Sequence, residues 1–325
     1  MNLYGISYIE LGKKSDSLAG KAMNQLKYNW QIYRLVKRYR IDYGVGTSIS
    51  LAHVSKLTKM KSFIFDDDDA EVQPLFVKYA HPYADFLFSP NVLDFERKEK
   101  NHVTYPGYHE LAYLHPNRFK PDPKVLDDLD IKEGERFFIL RFNAFKAHHD
   151  VGVSGISMDH KRRLVQMLLE KGKVFITTET AIDEEFEPYK ISISPEKIHS
   201  ALYYSSMLLG DSQTMTSEAA VLGTPSLRCN SFAGRISYLE EEEHTYGLTK
   251  AFKPDQADQM LAQLEKWLAD PEMDQKWKEK RSRLLQHKID VSDFFVWFID
   301  NYPQSASTFK ERNTKALENS KSLSL

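Results

Sequence analysis

One stretch limits the possible folds more than any other: Ser206 to Arg228, which reads SMLLGDSQTMTSEAAVLGTPSLR. Met207, Leu208 and Leu209 form an apolar run short enough for a buried strand and too short for a helix. Gly210, Asp211 and Ser212 break it. A helical pattern follows, with Met215, Ala219 and Leu222 on one face and Gly223 where a C-cap belongs. Thr224-Pro225 stops that helix, and Ser226-Leu227-Arg228 opens another strand. Strand, polar turn, helix, strand is the unit from which parallel sheets are wound, so the chain is expected to be α/β.

The turn puts Ser212, Gln213 and Thr214 at a helix N-terminus, where unpaired backbone N–H groups and the positive end of the helix dipole suit a phosphate. Glu218 lies more than one turn further in, within reach of a ribose diol. The alternative is structural: Asp211 and Ser212 cap the helix, and Glu218 is a solvated surface residue. Helix caps are commoner than phosphate sites, so local chemistry leaves both open.

The rest of the chain alternates in the same way. Strands are predicted at Leu3 to Leu11, Asp42 to Val45, Ser62 to Phe65 and Asp85 to Ser89, with helices at Ser17 to Tyr39, Ser48 to Leu57 and Val72 to Tyr79. In the first helix Leu18, Met23, Leu26, Trp30, Tyr33 and Val36 are read as the inward side. Tyr105 to Pro123 has weak periodicity and reads as a linker between two Rossmann-like domains, 1–118 and 119–289. Beyond the linker, strands are predicted at Arg136 to Phe142 and Lys173 to Thr177, and helices at Ser157 to Glu170, Pro195 to Tyr204, Asp255 to Leu268 and Pro271 to Leu285. The aromatic segment within 290–303 reads as a further helix, and the Ser- and Lys-rich tail 304–325 as disordered.

Composition excludes several classes. With 44 Lys and Arg against 46 Asp and Glu, no broad basic field argues for nucleic acid. The single cysteine, Cys229, makes an internal disulfide impossible and suits a reducing cytoplasm. No stretch approaches the ~20 apolar residues of a membrane span, and the N-terminus has no signal-peptide pattern. P-loop, HExxH, CxxC and G-x-S-x-G motifs are absent.

Two further clusters offer chemistry. Asp66 to Asp69 follow a strand at the end where open α/β sheets bind ligands. Crowded carboxylates raise one another's pKa, so Asp66 or Asp67 is a candidate acid or base, against the plainer reading of a solvated turn. Arg141 opens the run RFNAFKAHHD, where Arg141, Lys146, His148 and His149 suit a diphosphate or a sugar.

Asp211, Ser212, Glu218, Ala219, Gly223 and Pro225 spell D-S-x-x-x-x-x-E-A-x-x-x-G-x-P. The string resembles the nucleotide-binding segment of GT-B glycosyltransferases and of the non-hydrolysing UDP-N-acetylglucosamine 2-epimerases, where the Ser turn holds the UDP diphosphate and the Glu the ribose. With YPGYHELAYLHP at 105–116, Phe65-Asp66-Asp67 and Gly210 to Met215, the chain more closely resembles a prokaryotic GT-B-like family described as a domain of unknown function. The resemblance implies a GT-B-like fold, with 290–303 as the helix that crosses back to the first domain. It also implies that the first domain lacks its initial strand-helix unit before Leu3-Tyr4-Gly5. The nucleotide-sugar ligands would be Arg141, Asp211, Ser212, Gln213, Thr214 and Glu218, with Asp66 and Asp67 catalytic.

The implied function is that of a glycosyltransferase in surface polysaccharide biosynthesis, acting on a UDP-linked sugar and an unspecified acceptor, with no metal or cofactor. A sugar-nucleotide 2-epimerase is the alternative enzyme, weakened because the epimerases' H-G-D-T corresponds here to Gly44-Val45-Gly46-Thr47. A non-catalytic nucleotide-sugar-binding protein is the other alternative. The expected setting is cytoplasmic, with a homodimer conceivable.

Overall fold

The computed structural model describes residues 5–12, 18–97, 100–142, 155–178 and 182–309. They form two compact units. The first runs to Tyr105 and takes up the chain again from Tyr302, and the second is Pro106–Asn301. Among the described residues no helix is long and apolar enough to cross a membrane.

In the first unit α1 (Leu18–Tyr39) leads into β1 (Tyr43–Gly46), α2 (Ile49–Ser55), β2 (Lys61–Phe65), α3 (Pro74–Tyr79), β3 (Phe86–Pro90) and β4 (His102–Tyr105). The strands lie in chain order, β1-β2-β3-β4, and all pairs are parallel. KSFIF and FLFSP carry large side chains on both faces, as strands covered on both sides do. Ile64 and Leu87 pack on Ala52, Phe76, Ala80 and Ala84. Phe63 stacks on Phe86 at 5.4 Å, and Tyr302 meets Tyr43, Phe63 and Phe86 edge-on. Those ring contacts are what return the end of the chain to this sheet.

Three expectations change here. Residues 5–12 form no strand, and Ile6, Tyr8 and Ile9 are exposed. Alternation alone does not make a strand when no neighbour takes its N–H and C=O groups. α1 turns Ile32, Tyr33 and Val36 inward against Val54 and Met60. Met23, Leu26 and Trp30, read as inward, are 71%, 69% and 59% exposed, while Gln25 and Asn29 face Ser50 and His53 of α2 instead. Residues 304–309 are helical with Ser305 and Ala306 buried, where a disordered tail was expected; the rest of that tail, like Asn143 to Asp150, lies outside the described residues.

The second unit contains α4 (Leu111–Leu114), α5 (Lys124–Asp128), β5 (Phe137–Arg141), α6 (Met158–Leu169), β6 (Lys173–Thr177), α7 (Ile198–Tyr204), β7 (Met207–Gly210), α8 (Gln213–Leu222), β8 (Ser226–Cys229), α9 (Ser237–His244), β9 (Thr249–Phe252), α10 (Ala257–Leu268), α11 (Met273–His287) and α12 (Val291–Asp300). Its five parallel strands run in the order β6-β5-β7-β8-β9. The chain goes from β5 outward to β6, then returns past β5 to β7 and continues the other way. The connections on either side of β5 and β7 therefore diverge. In such sheets a crevice opens there, at the strands' C-terminal ends. α12 packs within this unit, its first turn tied to the linker by Arg118 Nε donating to Asp290 at 2.9 Å.

Candidate functional site

β5 and β7 end at the switch point on Arg141 and Gly210, which pair directly across the sheet. The backbone N–H of Asp211 donates to the Arg141 carbonyl at 3.1 Å. A Cβ on Gly210 would lie 2.0 Å from that same oxygen, so only glycine lets the turn begin this close to β5. Ser212 is the N-cap of α8, and its hydroxyl accepts from Met215 N–H at 3.3 Å. Asp211 is buried, and its carbonyl accepts from Asn230 Nδ2 at 2.8 Å, which ties the turn to the end of β8. Gln213 and Thr214 occupy the first turn and reach the surface, so their end of the helix dipole opens outward.

α8 is buried along Met215–Leu222 and held from several sides. Ser217 Oγ donates to the buried Glu242 of α9 at 2.6 Å. Gly223 takes the left-handed conformation, φ 82°, that terminates the helix. Arg281 Nε then donates to the Val221 carbonyl at 2.9 Å, satisfying one of the open C-terminal acceptors.

Beside this frame lies a cavity of about 430 Å³, a size suited to a small ligand. Ile176, Ile191, Ile193 and Ile198 give it an apolar wall, and Arg141, Lys190, His199 and Glu218 are its charged or ionisable groups. Arg141 Nη1 donates to Thr177 Oγ1 at 3.1 Å. Glu218 is not the solvated surface residue of the plainer reading. It is buried, and its Oε1 accepts from Tyr113 Oη at 3.0 Å and from His199 Nε2 at 2.9 Å. The rings of Tyr113 and His199 are 5.5 Å apart. A carboxylate, a guanidinium and an apolar wall in one crevice can bind a ligand that is polar at one end and flat and apolar at the other.

Arg141, Asp211, Ser212, Gln213, Thr214 and Glu218 thus gather in the second unit around one turn and one cavity. Asp66 and Asp67 belong to the first unit. Asp66, just past β2, is buried and accepts from His81 Nε2 at 2.7 Å and Arg97 Nη2 at 3.0 Å. The Arg97 guanidinium balances its charge. Asp66, Asp67 and Asp68 do bring carboxylate oxygens within 4.8 Å of one another, an arrangement able to hold a divalent cation. Burial and the flanking carboxylates lift Asp68 to about 7. Lys146, His148 and His149 lie outside the described residues.

Sequence reasoning missed Tyr113 and His199 as partners of Glu218. Tyr113 falls within the YPGYHELAYLHP run, but nothing in that run points to Glu218, and His199 sits in no pattern with a meaning of its own. Cys229 is buried, and burial pushes its thiol up to about 12, in keeping with a packing residue rather than a nucleophile.

The architecture is that of known proteins. The UDP-GlcNAc 2-epimerase of Neisseria meningitidis, bound to UDP-GlcNAc, matches with a TM-score of 0.64 over 89% of this chain and 83% of its own, at 11% identity. The UDP-GlcNAc 2-epimerase of Methanocaldococcus jannaschii, in complex with UDP-GlcNAc and UDP, matches at 0.53 over 79% and 76%, with 12% identity. The glycotransferase of kitacinnamycin matches at 0.51 over 86% and 82%, with 11% identity. Such low identities speak for the fold alone, which is GT-B-like. No curated protein matches the chain in sequence. Residues 1–245 match the family described as Protein of unknown function (DUF354), and the chain belongs to that family.

Proposed function

We propose that the second unit binds a nucleotide sugar, UDP-linked in the first instance, and that the chain is a GT-B glycosyltransferase of surface polysaccharide biosynthesis. The observation that carries the reading is that Glu218, Arg141 and Met215 of the first turn of α8 line one cavity at the sheet's switch point, with the Ser212 turn leading into that helix. In this reading the N–H groups of Gln213 and Thr214 and the Ser212 turn hold the diphosphate, and Asp211 keeps that turn in place. Glu218 accepts from the ribose, and the isoleucine wall takes the base. Two proteins of this fold hold UDP-GlcNAc, which supports trying that ligand first. The departing diphosphate would be stabilised by the helix dipole and the Arg141 guanidinium, so no metal or cofactor is required. Asp67, half-buried beside the committed Asp66, is the proposed base for the acceptor hydroxyl.

Calorimetric titration tests the site. UDP and UDP-N-acetylglucosamine should bind the wild type at micromolar concentration, and Glu218→Ala should weaken UDP by about 1.5–3 kcal/mol, the worth of a charged hydrogen bond. Equal binding by wild type and variant, or none by the wild type, would falsify the assignment. Turnover then separates the enzymes. A transferase releases UDP only with an acceptor, whereas an epimerase isomerises the sugar nucleotide alone. The absence of an acid at Gly44-Val45-Gly46-Thr47 favours the first outcome.

A further inference from the structure

α1 has a second face that nothing covers among the described residues. Its inner side is committed: Ile32, Tyr33 and Val36 pack on Val54 and Met60, and Gln25 and Asn29 bond to Ser50 and His53. On the outer side the exposed positions recur at steps of three and four residues, the spacing of a single helical stripe. Met23, Leu26 and Trp30 form its first half and are among the most exposed large apolar side chains of the chain. Lys27 lies between them, and Arg34, Lys37 and Arg38 form the second half. The Arg34 guanidinium sits over the Trp30 ring, 4.7 Å from its centre, and joins the two halves. The helix sequence from Leu18 to Tyr39 contains five Lys and Arg and no Asp or Glu. Across the whole chain acids slightly outnumber bases, 46 to 44, so this positive charge is local.

The two halves together choose the partner. Nucleic-acid phosphates would take the cations but leave the indole and the leucine in water. A second copy laid along the whole helix would set like charges together, or a basic half on an apolar one. An anionic lipid surface satisfies both. Apolar side chains enter the boundary between headgroups and acyl chains, where a Trp ring is at home, while long Lys and Arg stems reach the phosphates. Five cations keep such a helix in the plane of the surface rather than across the bilayer.

We propose that α1 is a membrane-surface helix: Met23, Leu26 and Trp30 insert at the headgroup boundary of a bilayer rich in anionic phospholipid, and Lys27, Arg34, Lys37 and Arg38 hold its headgroups. This site lies in the first unit and does not depend on the nucleotide reading of the second, so either can fail alone.

Vesicle flotation of the full chain tests it. Vesicles of phosphatidylglycerol mixed with phosphatidylcholine should bind the wild type at least about tenfold more tightly than phosphatidylcholine alone, and added salt should weaken the binding. Brominated acyl chains should quench Trp30, read as the difference between the wild type and Trp30→Phe. Arg34→Glu combined with Lys37→Glu should lose about tenfold or more in affinity, and Leu26→Ser severalfold. All of these side chains face solvent, so the variants should melt with the wild type. No binding to anionic vesicles at low salt overturns the proposal, and a dimer broken by Leu26→Ser would then assign the face to a second copy. Equal binding to neutral vesicles, or undiminished binding by the charge-reversal variant, overturns the role of the cations. Vesicle binding without quenching of Trp30 puts another surface on the membrane and overturns the assignment to α1.

Discussion

Asp68→Asn should stabilise the protein at pH 8 and leave it unchanged at pH 4. Asp68 sits among three other carboxylates, Asp66, Asp67 and Asp69, in a half-buried turn. Loss of hydration is the largest cause of its raised pKa, and repulsion from Asp67, Asp66 and Asp69 follows. The carboxyl rises from 3.8 to about 7. An acid whose pKa is higher folded than unfolded binds more protons in the folded state between those two values. Stability therefore falls as pH rises from about 4 to about 7, and the cost is fully present above that. A difference of about three pH units corresponds to at most about 4 kcal/mol. Solvent reaches the turn and screens the charges, which reduces the expected effect to about 1–2 kcal/mol. Asparagine has the same shape and keeps an oxygen for the Gln73 amide that Asp68 now accepts. Thermal melts with a chelator present should show the variant several degrees above wild type at pH 8 and level with it at pH 4. A variant that melts lower at pH 8 would refute the reasoning, because it would mean the ionised carboxylates are jointly stabilised. If that reversal appeared only with an added divalent cation, the three carboxylates would be a metal site.

Two other outcomes follow from the second unit. Gly210→Ala has no room beside the Arg141 carbonyl, so β7 or the turn must shift. Denaturant melts should show a loss of at least about 1–3 kcal/mol, and UDP affinity should fall with it; wild-type stability would mean the close approach is not required. Cys229 should resist a thiol reagent at pH 8 in the native protein and react fully in guanidinium, because burial both covers the thiol and holds its pKa near 12. Rapid native labelling would contradict that.

The second unit was more legible in the sequence than the first. Met207–Gly210, Gln213–Leu222 and Ser226–Cys229 coincide with an apolar run, a capped helical period and a second short strand. Each local signal agrees with its neighbours, and turn chemistry at Ser212 and Gly223 marks the ends. β4 went unread because HVTY is short and runs straight into a Tyr- and Pro-rich segment. α9 and β9 also went unread. SYLEEEEH puts four glutamates in a row without an amphipathic rhythm, and only tertiary packing buries Glu242 against Ser217. α1 misled because its aromatic and aliphatic residues fall all round the helix, while amide pairs to Ser50 and His53 decide which side faces α2.

The same division runs through the site. Backbone features, the strand end, the N-cap and the helix start, are written locally and can be read from spacing. The partners of Glu218 are not, because Tyr113 lies 105 residues away and joins it only once α4 packs on α8. Position alone does not set the role of Glu218, since the same helical position on an exposed face would be an ordinary solvated carboxylate. What sets it is a helix held on its remaining sides by Glu242, Arg281 and the sheet, leaving one carboxylate oxygen turned to open space. An immobile helix and a doubly held carboxylate lose little freedom when a ligand arrives. Preorganisation of that kind lowers the entropic cost of binding, and it gives Tyr113 and His199 an influence on affinity without either needing to touch the ligand.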